Sequence, residues 1–281
     1  AFIRHPNKEK LFKIKTRTGR EIVITKYHSL FTLDSYLGEV IPIRGDELEI
    51  GSFVAIPKKI DIDFDINNIN LIDEFIKFSD LAKKIRIKSY SFAEKLFQKI
   101  NVSALAKTLN KKRTTVQRWK NLATIPLTYF NKILTFSNYH FSESDIKKYD
   151  IQISFNRGSQ RIPALISIDE NFLRFLGYYL SEGWAIKNFN NTHKGNSYYI
   201  HFSNTEKELL DDYFTLCQKL FSLKPKKLKF GKELRIDSAI IYYLLNYLLK
   251  CGNTAENKRI PTQFIFLPKT KLKFILQSYF S

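Results

Sequence analysis

Glu182 and Gly183 close a run of apolar residues at a point where chemistry is available. The carbonyls at a helix C-terminus lack partners and carry partial negative charge. A carboxylate there is unfavourable unless a cation is close. Carboxylate plus carbonyl oxygens make a hard-oxygen site suited to Mg2+, so Glu182 is a candidate metal ligand. A second able group lies within residues 102–121, where Arg113, Thr115, Gln117, Arg118 and Lys120 share the outer face of one helix. Thr, Gln and Arg can read base edges in a major groove, and Lys and Arg can hold phosphates. Double-stranded DNA is the partner this face implies.

Both groups need elements to hold them. Ser167 and Glu170 have the spacing of a capping box, which predicts a helix start there. Phe172, Leu173, Phe175, Leu176, Tyr178, Tyr179 and Leu180 then follow almost without break, so this helix should be packed on most sides. Gly177 in its interior costs about 1 kcal/mol relative to alanine, and the usual compensation is a second backbone passing close by. Residues 102–121 fit a helix-turn-helix. Leu105, Ala106 and Leu109 face inward, Asn110 takes the positive-φ turn, Thr114 can cap the second helix, and Val116 and Trp119 point to the core. Short strands are expected at 11–16, 20–25, 36–43 and 53–57, then a polar connector at 61–69, and helices through 70–150. Residues 164–281 read helix, hairpin (with a polar tip at 190–196), helix, hairpin, helix and a last helix. The chain is expected to be α+β, with parts at 1–60, 61–150 and 151–281.

Of the 281 residues, 46 are Lys or Arg and 27 Asp or Glu, a net charge of +19, so a polyanion is the expected partner and nucleic acid the leading one. No apolar run reaches bilayer-spanning length, and no membrane partner is expected. Cys217 and Cys251 are too few for a disulfide framework and sit in no metal-type cluster; buried thiols in a reducing, cytoplasmic setting are expected. The chain has no Met, opens at Ala1, and stops at Ser281 inside a helix-like run. It reads as a segment of something longer.

Phe175-Leu-Gly-Tyr-Tyr-Leu-Ser-Glu-Gly183 resembles the LAGLIDADG motif of homing endonucleases. In that family two such helices pack through small residues and each delivers one metal-binding acid. The resemblance places Gly177 on the motif's central glycine and Glu182 on its catalytic acid. The order of elements matches the family's αββαββα unit, whose antiparallel sheet forms a saddle on DNA. Lys226, Lys227, Lys229 and Arg235 would then contact phosphates from the second hairpin. Asn257-Lys-Arg-Ile-Pro261 followed by Phe264-Ile-Phe266 resembles the intein nuclease block, which makes Lys258 a candidate catalytic lysine. Phe274–Ser281 matches the opening of a second motif helix, with Ser278 on its central small residue. The chain stops before the positions of the second acid. Self-association through this helix is a further expectation.

Gly19-Arg-Glu-Ile-Val-Ile-Thr25, His28-Ser-Leu-Phe31 and Arg44–Pro57 resemble the splicing blocks of inteins, with their horseshoe-shaped Hint-type β fold. The resemblance implies that His28 polarises the peptide bond at the N-terminal splice junction, with Thr25 assisting. An imidazole can protonate a leaving amide nitrogen near neutral pH, and a hydroxyl can bond the same linkage. Tyr27 and Ser52 depart from the pattern by standing where an Asp is usual. Ala1 is no nucleophile, and no His-Asn terminus ends the chain, so these 281 residues should not splice. The implied parent is an archaeal-type intein-encoded endonuclease that cleaves long DNA sites with Mg2+ and excises itself from host-protein exteins; the fragment would bind DNA. The competing expectation is a helix-turn-helix DNA-binding module, or an inactive intein remnant, without nuclease activity.

Overall fold

The computed structural model describes residues 10–56, 64–156, 160–190 and 195–281. Ala1, Pro57, residues 61–63 of the connector and residues 191–194 of the hairpin tip lie outside them. The chain is of mixed α and β type and divides into two compact units, Ala1–Ile62 and Asp63–Ser281.

The first unit holds two antiparallel hairpins. Strand β1 (Leu11–Lys15) pairs with β2 (Glu21–Thr25) around a turn where Gly19 takes φ +84°, and β3 (Ser29–Leu33) pairs with β4 (Val40–Arg44). The strand expected over Tyr36–Ile43 shrinks to β4, and Ser29–Leu33 is an unanticipated strand. Phe53–Ile56 forms no strand; its one ladder-like bond is Ala55 N donating to Phe31 O at 2.7 Å. Ile24 is the one buried apolar side chain among this unit's described residues, while Tyr27, Phe31, Leu33, Val40 and Phe53 stay exposed. The strands have residues suited to two covered faces and little covering either.

The second unit carries the core. β5 (Asn68–Asn70) leads directly into helix α1 (Leu71–Ile76), capped by the Asn70 side chain, and α2 (Ser79–Ala82) follows. Next come β6 (Ile85–Lys88), α3 (Tyr90–Phe97), α4 (Val102–Thr108), α5 (Arg113–Asn121), β7 (Thr124–Pro126), α6 (Leu127–Ser137) and α7 (Glu143–Lys148). β8 (Gln152–Phe155), β9 (Ile162–Pro163) and β10 (Leu165–Ser167) complete this portion. Residues 70–150 are therefore not purely helical: β7, β6, β8 and β9 form a four-stranded sheet in that order, with Ile85, Ile87, Ile125 and Ile153 buried. That sheet, and the pairing of β10 with β5, join residues on both sides of position 150, so the boundary expected there does not separate two bodies.

The remainder is α8 (Glu170–Glu182), β11 (Gly183–Asn190), β12 (Gly195–Ser203), α9 (Lys207–Phe221), β13 (Lys226–Leu228), β14 (Glu233–Asp237), α10 (Ala239–Tyr243) and α11 (Lys269–Tyr279). The strands form one antiparallel sheet in the order β11-β12-β14-β13. Alternation decides its faces: Tyr198, Ile200, Phe202, Leu234 and Ile236 are buried with the helices, and the residues between them point the other way. The α8 cap is Asp169, whose side chain accepts from Phe172 N at 3.1 Å, not Ser167, which lies in β10. Arg174 and Tyr178 both bond Asp212, pinning α8 to α9.

α8 and α11 cross at Gly177. A Cβ at this position would strike the Ile275 carbonyl oxygen and lie 2.8 Å from Ser278 Oγ. Ser278 is buried, and its hydroxyl bonds back to Phe274 O at 2.6 Å, so it adds no unsatisfied group to the contact. Gly177→Ala should thus lower stability by about 1–3 kcal/mol through overpacking, although alanine is the better helix former. Urea unfolding of the intact chain checks this; an unchanged or raised midpoint would show that the helices can part freely.

Candidate active site and nucleic-acid interface

α8 ends on Glu182, which is exposed, and Gly183 turns the chain into β11. Three carbonyls at this helix end are engaged by a lysine. Lys258 Nζ donates to Ser181 O at 2.7 Å, Gly183 O at 3.0 Å and Tyr179 O at 3.3 Å. An ammonium has three donors, and all three are engaged. Burial pushes the Lys258 pKa down, and the Glu182 charge opposes that shift. The site thus brings Glu182 and Lys258 together, and the cation at the helix end is the lysine.

A tight loop aims Lys258. Asn257 Oδ1 accepts from Asn253 N at 2.8 Å and Thr254 N at 3.0 Å, and Lys258 N donates to Thr254 O at 3.1 Å. Gly252 takes φ +83°, and a Cβ there would strike the Asn257 carbonyl. Tyr179 Oη bonds Gly252 O at 2.6 Å, and Ala185 N bonds Asn253 O at 3.1 Å, tying the loop to α8 and β11. With these three carbonyls taken, Glu182 is the carboxylate that this helix end offers Mg2+. No cluster of three or more His, Cys, Asp or Glu suited to a metal occurs among the described residues. One carboxylate completed by water and phosphate oxygens is a donor set that Mg2+ accepts; a site built from protein groups alone is not present here.

The helix-turn-helix residues form α4 and α5. Asn110 takes φ +52°, Leu105, Ala106 and Val116 are buried, and Trp119 stacks on Tyr129 with centroids 5.2 Å apart. Thr114 caps nothing: the N-cap is Lys112, without a side-chain bond, because the helix starts one residue before Thr114. Arg113, Arg118 and Lys120 are exposed on one helix, while Thr115 and Gln117 are half-buried, and Gln117 Nε2 donates to Asn121 Oδ1 at 2.8 Å.

The open face of the four-stranded sheet carries a cross-strand row, Trp184–His201–Arg235–Lys226. Trp184 stacks on His201 at 4.9 Å, and the Arg235 guanidinium lies 4.7 Å from the Tyr199 ring centre. Two acids hold its cations. Asp237 pairs with Lys226 at 2.6 Å and Arg235 at 2.7 Å, and Glu233 pairs with His201 and Lys229 at 2.6 Å each. Burial raises the Glu233 pKa, but the bonds from Lys229 and His201 outweigh it and hold the carboxyl below its ordinary value. Lys227 is not on this face. It is opposite buried Leu234 in the ladder and pairs with Asp211 on α9 at 3.8 Å. Trp184, Tyr199, His201, Glu233 and Asp237 were not among the sequence candidates; their signal is the alternation along β11, β12 and β14 that sets them opposite the core-facing residues. In the first unit Thr25 ends β2 and His28 precedes β3, both exposed, joined through His28 N donating to Thr25 O at 3.1 Å. Among the described residues neither side chain makes a hydrogen bond.

No family model matches the chain. It is 28% identical over its whole length to a DNA polymerase of Thermococcus kodakarensis, of which it covers 19%. A DNA polymerase of Thermococcus litoralis is also 28% identical over the whole chain, with 18% of that protein covered. The DNA polymerase II large subunit of T. kodakarensis is 24% identical over 99% of the chain and 14% of its own length. The chain thus spans less than a fifth of each of these archaeal relatives. Among the described residues no helix is long and apolar enough to cross a membrane.

Two measurements follow from the site. Lys258→Met keeps the stem but removes the ammonium from three carbonyls, of which Tyr179 O still accepts from Gly183 N, so stability should fall by about 1–3 kcal/mol in urea unfolding; no loss would mean that water replaces the ammonium at no cost. Glu233 has a folded pKa below its ordinary 4.5, so its contribution is present above that value and is lost as pH falls through the folded pKa. The stability gap between wild type and Glu233→Gln should therefore shrink from about pH 6 to about pH 3, as denaturant midpoints across that range would report. A constant gap would remove the charge from the account.

Proposed function

We propose that the chain is part of an intein carrying a LAGLIDADG homing endonuclease, with residues 64–281 supplying DNA-binding surfaces and one catalytic acid. The observation that carries the reading is the crossing of α8 and α11 at Gly177 and Ser278, with Glu182 exposed at the end of α8 beside the half-buried Lys258 ammonium. A glycine that admits a second helix backbone, followed five residues later by an acid, is what the motif requires. The relatives support an inserted element. One segment recurs in two differently named polymerases of T. kodakarensis and is a small part of each. The uncovered apolar strands of the first unit are what one portion of a larger β fold would leave, and Thr25 and His28 would serve splicing there.

In this reading Glu182 would hold Mg2+, which supplies positive charge at the scissile phosphate and lowers the pKa of bound water. Lys258 holds the end of α8 in place and sets the position of Glu182; its positive charge also stands beside any phosphate that reaches the acid. Arg113, Arg118, Lys120, Lys226, Lys229 and Arg235 would hold duplex DNA, with Thr115 and Gln117 nearest base edges. The paired acid would come from the second motif helix, of which Phe274–Ser281 supplies only the opening. A second reading, a DNA-binding module without cleavage, is favoured by the engagement of three carbonyls around the end of α8 by Lys258.

The test is incubation of the natural protein containing these residues with Mg2+ and duplex DNA from an uninterrupted archaeal polymerase gene. Site-specific cleavage, reduced at least ~100-fold by Glu182→Gln, is the expected result. Duplex binding without cleavage would favour the module, and absence of both would overturn the two readings together.

A further inference from the structure

The helix begun by α10 does not run regularly into the Lys258 loop. Residues Leu244–Leu248 form a π-helical turn, closed by Leu249 N donating to Leu244 O at 2.9 Å. Such turns are rare and gather at functional sites. Lys250 follows at φ +54°, a left-handed conformation found just past helix ends that glycine adopts at lower cost than a residue with a Cβ. Two unfavourable backbone features within seven residues coincide with one surface feature, an open groove of about 730 Å3. Phe78, Asn246, Tyr247, Lys250 and Arg259 line it, and it reaches Lys258. Tyr247 is 44% exposed and Phe78 39%, large rings left in water beside cations. Neither Lys250 nor Arg259 makes an ion pair among the described residues, and Glu256 is the one acid on the wall. Arg259 is held by its Nε–H donating to Lys250 O at 3.1 Å.

A ligand for this groove needs a flat face and negative charge. We infer that the groove takes an unpaired nucleotide of a nucleic-acid strand, its base against Tyr247 and its phosphate on Lys250 and Arg259. A ring face accepts any base, so the site selects for an unpaired strand and not for sequence. The helical irregularity has a use on this account: it turns Tyr247 and Lys250 out together. The groove shares no residue with the sheet face or the outer face of α5. It adjoins Lys258, so a strand held there is led toward the end of α8. The inference goes beyond the endonuclease reading and does not require cleavage.

The test uses the 281-residue chain without divalent cation and measures fluorescence anisotropy of a labelled thymidine oligonucleotide of about ten residues, a length within the site sizes of single-strand binders. A hairpin duplex and thymidine monophosphate serve as competitors. The single strand should bind, and each competitor should displace it poorly. Tyr247→Ala should weaken binding by about 10-fold or more. Lys250→Gly should also weaken it, while melting at the same or a higher temperature because the left-handed position suits glycine. That pairing separates lost binding from lost folding. Unchanged affinity in both variants would overturn the inference, and so would equal displacement by the mononucleotide or the duplex. Because no metal or cutting enters the assay, its failure leaves the Glu182 reading standing, and failed cleavage leaves this site standing.

Discussion

The second unit depends on how closely two helices can approach. At Gly177 the α11 backbone takes the space a side chain would fill, and buried Ser278 meets the same spot from the other helix. Helix interiors penalise glycine by about 1 kcal/mol, so the local sequence gives up helix stability for proximity. The return is burial of Phe264, Leu267 and Ile275 beside α8, a helix with eight buried residues of its own. With α8 fixed by α11, by Asp212 on α9, and by the Lys258 loop, its last residue has little freedom. Glu182 is thus an exposed carboxylate at the end of a firmly held helix.

The end of α8 also shows how one electrostatic problem can be solved by the chain itself. Partial negative charge from unpaired carbonyls and full charge from Glu182 meet at one place. Lys258 answers both, through three direct bonds and through proximity to the acid. The ammonium is delivered by a loop whose shape needs Gly252 at positive φ and Asn257 folded back on it. Replacing the lysine disturbs the shape of the helix end as well as its charge.

Local periodicity made much of this readable. The helices at 102–108 and 113–121 lie where apolar spacing put them, and Asn110 at positive φ and Gly177 under a neighbouring backbone follow from residue type. What was not readable depends on partners distant in sequence. Ile85–Lys88 is a strand because residues 124–126 and 152–155 flank it, and four alternating residues inside a helical stretch do not announce that. Lys258 caps a helix 75 residues away, so no local signal could mark its role. Lys226 and Lys227 are adjacent, yet strand alternation sends them to opposite faces, and a count of basic residues treats them alike. Asp169 took the cap from Ser167 because β10 runs on through Ser167 to pair with Asn68.

The acids on the sheet face alter what the net charge of +19 means locally. Asp237 and Glu233 act as built-in counterions for Lys226, Arg235 and Lys229. A phosphate that takes one of these cations must first exchange with a carboxylate, so fewer salt ions are released than a tally of basic residues suggests. Association at this face should vary gently with ionic strength, and stray DNA should leave it quickly. On the proposed DNA-binding reading, the pairing would favour a ligand able to satisfy the displaced acids as well, for instance through the exposed amino groups of bases.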